Sequence, residues 1–175
     1  MSLGSITNSR SVALSRLVVA VAGVWALAGF AGCEGERPAP AAAPEVVVAA
    51  PKRPTVVFLT ARGEVPVLVD VARTAAEREK GLMFVEHLPA GRGMLFLMGP
   101  ERILTFWMKN TYIPLDMVFV NAALEVVGVV AKAEPLTLSP RNVDKPSSYV
   151  VEVPGGWAEK VGVVAGVKVR FESVD

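Results

Sequence analysis

From Thr55 onward the chain is a succession of short apolar runs, each ended by glycine, proline or a polar turn. That punctuation leaves room for strands and for little helix. Val65, Val67, Val69 and Val71 alternate with Pro66, Leu68 and Asp70, the period of two expected of a half-buried strand. Pro66, which lacks an amide donor, places the start of that strand near an edge. Met94 to Met98 forms a continuous apolar run after the Gly91-Arg92-Gly93 turn. Phe106 to Met108, Asp116 to Asn121, Val126 to Ala133, Tyr149 to Val153 and Val167 to Phe171 continue the strand pattern. Asn121 to Leu124 turns a hairpin between two of them. The expected fold is mainly β, a compact β-sandwich or barrel-like single domain with one or two short helices.

The clearest helix signal is local. Thr74-Ala75-Ala76-Glu77 has the spacing of a capping box, in which Thr74 caps the Glu77 amide and Glu77 reaches back. A helix over Ala75 to Lys80 then stops at Gly81. Trp157 to Val161, bounded by Gly155-Gly156 and Gly162, forms a second helical turn. Glu134 to Ser148, with three prolines, reads as a long loop.

The first 32 residues have another character. Arg10 and Arg16 precede an uninterrupted apolar run from Leu17 to Phe30, and no acid occurs before Glu34. The run has 14 residues, which suits a signal peptide. A bilayer span needs about 20. Phe30-Ala31-Gly32-Cys33 resembles a bacterial lipobox, although Phe30 replaces the usual leucine. The resemblance implies cleavage before Cys33 and acylation of its thiol and new amino terminus. Cys33 is the only cysteine, so there is no disulfide framework to explain it. Residues 33–54 carry five prolines and many alanines and read as a semi-rigid tether. Val46 to Val48 has strand character, but its proline-rich flanks oppose a strand. The domain then spans residues 55–175. The expected location is extracytoplasmic, with the lipid holding the protein to a membrane in the periplasm or at the cell surface.

Charge and composition narrow the chemistry. Removing Arg10 and Arg16 leaves 16 basic against 17 acidic residues, a net charge of −1 from Cys33 onward. That balance gives no electrostatic footprint for nucleic acid. His87 is the only histidine and lies in an exposed-looking loop. No thiol, two-histidine metal site, phosphate loop or nucleophile elbow is available, and no catalytic residue, metal or cofactor is assigned. Met83, Met94, Met98, Met108 and Met117 read as core gap-fillers, with a soft-metal site as the weaker alternative.

Residues 106–120 are the exception to this bland picture. Lys109, Asn110 and Thr111 sit between two apolar runs, and Pro114 and Asp116 interrupt the second. Polar groups inside core-like sequence need partners or a function. In one account Asn110 and Thr111 make a turn, Asp116 bonds to backbone amides, Lys109 faces solvent and Trp107 is core. In the other, Trp107, Lys109, Asn110, Thr111 and Asp116 line a small polar site, with a sugar or peptide terminus as ligand. Arg78 can pair with Asp70 or Asp116. Thr74, Glu77, Gly81 and Pro114 are structural.

The motifs Glu77-Arg78, Gly81-Leu82-Met83, Gly93-Met94-Leu95-Phe96, Phe106-Trp107-Met108-Lys109-Asn110-Thr111, Ile113-Pro114-Leu115-Asp116 and Tyr149 to Pro154 occur in this order, followed by Gly162 and Gly166. Together they resemble the Domain of Unknown Function 192 family from Val65 to Phe171. The resemblance implies a compact, mainly β domain, often behind a signal peptide, and carries no catalytic assignment. Gly166-Val167 departs from the Gly-Asp common in the family. Three functions follow as expectations. The first is a membrane-tethered module that binds a small polar ligand or an envelope component. The second is an envelope hydrolase pairing Asp116 with Glu77 or Glu152. The third is a structural or protein-interaction domain of the envelope.

Overall fold

Strand alternation is realised where the sequence is most regular. The structure, a computed structural model, describes residues 52–174. The expected leader, the lipidated cysteine and nearly all of the tether, including Val46 to Val48, lie outside the described residues. The elements are β1 (Thr55–Thr60), β2 (Gly63–Ala72), α1 (Ala75–Lys80), β3 (Arg92–Ile103), β4 (Leu115–Val120), β5 (Val126–Ala133), β6 (Pro146–Pro154), α2 (Trp157–Val161) and β7 (Lys168–Glu172). In β2 the buried Val67 and Val69 alternate with the exposed Leu68 and Asp70. In β4 all six residues are buried, because both faces of that strand are covered.

One seven-stranded sheet runs in the order β5-β4-β6-β3-β2-β1-β7. Every neighbouring pair is antiparallel except β2 and β3, which are parallel and joined through α1. The sheet curls until its two edges meet at one end. There the Val126 amide donates to the Val167 carbonyl at 2.9 Å, and Glu125 bridges to Lys168. The architecture is therefore barrel-like and not a sandwich.

The curl creates two apolar compartments. The inner one takes side chains from every strand, among them Val56, Val67, Leu95, Val118, Val126, Val151 and Val169, together with Trp157 and Ala158 of α2. The outer one lies on the opposite face of β3, β4 and β6, where Phe96, Met117, Phe119 and Val150 pack with Leu82, Leu104 and Met108. It is closed by the loop after α1 and by the irregular segment 104–114.

Some boundaries differ from the sequence reading. Phe106 to Met108 is not a strand; only an isolated bridge links Phe106 to Arg141. β3 continues past Met98 to Ile103 across a break in register between Leu97 and Arg102. β6 begins at Pro146, so the end of the expected loop is strand. β1 was not expected as a strand at all.

Gly93 holds β3 against β6. A Cβ at this position would stand 2.5 Å from the Glu152 carbonyl oxygen, a backbone atom that cannot move aside alone. Gly93→Ala is expected to cost about 1–3 kcal/mol, the usual price of overpacking. Urea unfolding followed by circular dichroism measures this, and an unchanged midpoint would show that the two strands separate freely.

Candidate functional site

Segment 104–114 is anchored by the apolar residues it turns inward. Leu104 and Met108 are buried in the outer compartment. Phe106 meets Phe96 and Phe119 edge-on, with ring centroids 5.2 and 6.0 Å away. Between these anchors, Trp107 stays 48% exposed and Lys109 is exposed beside it. The Lys109 ammonium lies 5.6 Å from the Trp107 ring centroid, a cation–π contact. The segment is fixed by the loop that follows β5. Phe106 and Arg141 exchange backbone hydrogen bonds of 2.9 and 2.8 Å, and the Met108 amide donates to the Thr137 carbonyl at 2.9 Å. Asn110 turns the chain with φ of 53°, and its carbonyl accepts from the Phe84 amide at 2.8 Å.

α1 forms the facing wall. Its capping box is complete: the Glu77 amide donates to Thr74 Oγ1 at 3.2 Å, and the Thr74 amide donates to Glu77 Oε2 at 2.8 Å. Glu77 Oε2 also accepts from the Arg73 amide, and these backbone bonds lower the carboxyl's pKa. Arg78 Nη1 donates to the carbonyls of Arg73 and Leu97, which ties the helix to β3. Gly81, at φ of 46°, passes so close to Phe96 that a Cβ would lie 3.2 Å from its ring.

Between these walls runs a groove of about 520 Å³, lined by Arg78, Glu79, Met98, Phe106, Trp107 and Leu138, among others. Adjoining it is a chamber of about 30 Å³ that shares Arg78, Glu79, Phe106 and Trp107 with the groove and reaches Lys109, Thr111 and Glu152.

Glu152 is the chemically unusual residue of the chamber. It is 5% exposed, on the outer face of β6, with Met94 and Met117 as its in-register neighbours on β3 and β4. Its carboxyl makes no hydrogen bond or ion pair among the described residues. Burial alone pushes its pKa up to about 8. A buried carboxyl is ordinarily bonded, so this one needs an explanation.

Asp116 is the opposite case. It is fully buried, and its register partner is Val153, which places it on the inner face. Oδ1 accepts from the amides of Lys132 (2.7 Å) and Gly156 (2.8 Å), and Oδ2 accepts from Ala158 (2.8 Å). The Gly155 amide donates to the Pro114 carbonyl at 2.9 Å alongside. Asp116 and Pro114 therefore fix the turn into α2, and Asp116 is not at the cleft.

The expected residues thus divide. Arg78, Trp107, Lys109 and Thr111 line one chamber. Asn110 is a turn residue whose amide nitrogen points at Met83 Sδ, 3.8 Å away. Trp107, core in one of the two accounts, is half exposed. Arg78 pairs with neither proposed acid: Asp70 lies 3.7 Å from Arg92, and Asp116 is spent on amides. The carboxylate pairs fail for the same reason. Asp116 and Glu152 occupy opposite faces of the sheet, and Glu77 is held in its cap. Among the described residues no three His, Cys, Asp or Glu side chains gather as a metal-ligand set. The unpartnered state of Glu152 was invisible in sequence, where Tyr149 to Val153 reads as an ordinary strand. Its one signal was an acid at an inner position of an otherwise apolar run.

A mainly β domain with a cleft on the outer face of its sheet is the class that fold and site define. The chain belongs to the Domain of Unknown Function 192 family, described as Uncharacterized ACR, whose model matches residues 57–171. It is similar to a solved protein of unknown function from Novosphingobium aromaticivorans, with 39% identity and a TM-score of 0.65 over 66% of this chain and 83% of that one. It is also similar to a protein from Sinorhizobium meliloti provisionally described as a transcription regulator, with 32% identity and a TM-score of 0.65 over 67% of this chain and 92% of that one. No curated protein matches the chain.

Proposed function

We propose that this protein is a membrane-tethered, extracytoplasmic binding domain whose ligand, a small polar molecule or an envelope component, sits in the cleft between α1 and segment 104–114. The observation that carries this reading is Glu152, a buried carboxyl with no partner among the described residues, at the end of a chamber rimmed by Arg78, Trp107 and Lys109. Such a group is unfavourable for folding alone, and a titratable residue perturbed by burial inside a cleft marks a functional site. The adjoining groove falls in the size range of small-molecule sites, about 300–1,000 Å³. The transcription-regulator description of one relative finds no support in the charge balance of this chain, which has no basic excess from Cys33 onward.

A thermal-shift screen of small polar ligands tests the cleft. Ligands that stabilise the protein are expected to lose their effect in Trp107→Ala and Lys109→Ala. Hits that survive both changes would place the site elsewhere. The tether rests on Arg10, Arg16, the apolar run and Cys33. Cys33→Ser is expected to move the protein from membrane to soluble fraction, and unchanged partitioning would remove the lipid anchor.

A further inference from the structure

We propose that the cleft takes a small amphipathic carboxylic acid, its anionic head between Arg78, Lys109 and Glu152 and its apolar tail along Met98, Trp107 and Leu138. This deepens the cleft reading and rests on it.

Charge comes first. The chamber is lined by three cations, Arg78, Lys80 and Lys109, and besides Glu152 by a single acid, Glu79. Arg78 is anchored through Nη1, while its Nε and Nη2 make no hydrogen bond among the described residues. A guanidinium held at one nitrogen keeps a donor edge free for a carboxylate.

Glu152 adds to this and does not oppose it. Desolvation is what holds it protonated near neutral pH, so it presents an O–H donor. Its in-register neighbours are methionines, and Asp70 and Arg92 on the same face are engaged with each other. A protonated carboxyl bonds well to an anionic oxygen through a short O–H···O⁻ contact. An ammonium ligand would instead meet three like charges, Arg78, Lys80 and Lys109, in the lining of the chamber.

Size divides the ligand in two. The chamber, at about 30 Å³, admits a head group of a few atoms. The groove, at about 520 Å³, offers Met98, Phe106, Trp107 and Leu138 to a tail. An aliphatic chain removes water from that surface, at roughly 0.8 kcal/mol per buried CH₂.

The test is calorimetric titration of the full-length protein with hexanoate, hexylamine and hexanol at about pH 6.5 and about pH 9, either side of the Glu152 transition. Hexanoate is expected to bind best. Its affinity should fall about tenfold or more at the higher pH, where an ionised Glu152 repels it. Lys109→Ala should weaken it about tenfold; the Lys109 side chain is exposed and makes no hydrogen bond or ion pair among the described residues, so this variant is expected to fold. Glu152→Gln keeps an N–H donor without the titration, and should bind hexanoate equally at both pH values. Preference for hexylamine or hexanol overturns the carboxylate assignment, and if Trp107→Ala abolishes that binding the cleft itself stands. Parallel loss with pH in wild type and Glu152→Gln, or no binding of any probe, overturns the proposal as well.

Discussion

Asp116→Ala is expected to destabilise the protein by about 3–5 kcal/mol, enough to abolish folding of a marginal domain. The carboxylate satisfies three backbone amides, from Lys132, Gly156 and Ala158. Those amides belong to the end of β5 and the turn into α2, two places that are far apart in sequence and share this one acceptor group. Removing it leaves donors unsatisfied at a site with no exposure. Asp116→Asn is the informative companion. Its carbonyl keeps two acceptor positions, but its NH₂ faces the Ala158 amide donor, so an intermediate loss of about 1–3 kcal/mol is expected. Equilibrium urea unfolding gives both numbers. A loss under about 1 kcal/mol for the alanine variant would mean that water replaces the carboxylate. A ligand-contacting aspartate would give a different pattern, with binding lost and stability kept.

Stability is also expected to fall as pH rises from about 5 to about 9, and to do so because of Glu152. Its folded pKa of about 8 stands above the ordinary glutamate value of 4.5. Between those values the native state holds a proton that the unfolded state has released, so stability declines with increasing pH. Below about pH 4.5 both states are protonated, and Glu152 contributes no pH dependence. Above about pH 8 the full penalty of a buried charge is present, roughly 3–5 kcal/mol for a shift of this size. Glu152→Gln removes the titrating group, so its stability should change far less across this window and exceed that of the wild type at the alkaline end. Superimposable profiles for the two proteins would refute the assignment. The same measurement checks that Glu152→Gln is folded before any ligand is added.

How far the sequence reached depends on the range of each interaction. The Thr74–Glu77 capping box and the Val126 to Ala133 strand are set by neighbours a few residues apart, and both are present as read. β1, Thr55 to Thr60, is rich in β-branched residues but directly follows the proline-rich stretch, which masks that local signal; its pairing with β2 and β7 is seen only in the fold. Phe106 to Met108 was misread as strand because its alternation is genuine, yet it faces a core compartment and not a neighbouring strand. The roles of the two carboxylates lay further out of reach. Asp116 and Glu152 both sit in apolar runs, and only the pairing of β4 with β6 reveals that they face opposite sides. Which of them finds partners depends on α2 being on one side and a cleft on the other.

The strand order also bears on synthesis. β1, the first strand among the described residues, has β7 as its outer neighbour, with Thr55 opposite Glu172. The inner compartment cannot close until the last strand has emerged, so a growing chain exposes an open sheet face for nearly the whole of translation. Pairing of such distant segments is entropically slow, which places folding in the slower range of small domains, milliseconds to seconds. Moving the termini by circular permutation, so that β7 precedes β1 through a short linker, should speed folding while leaving the cleft unchanged.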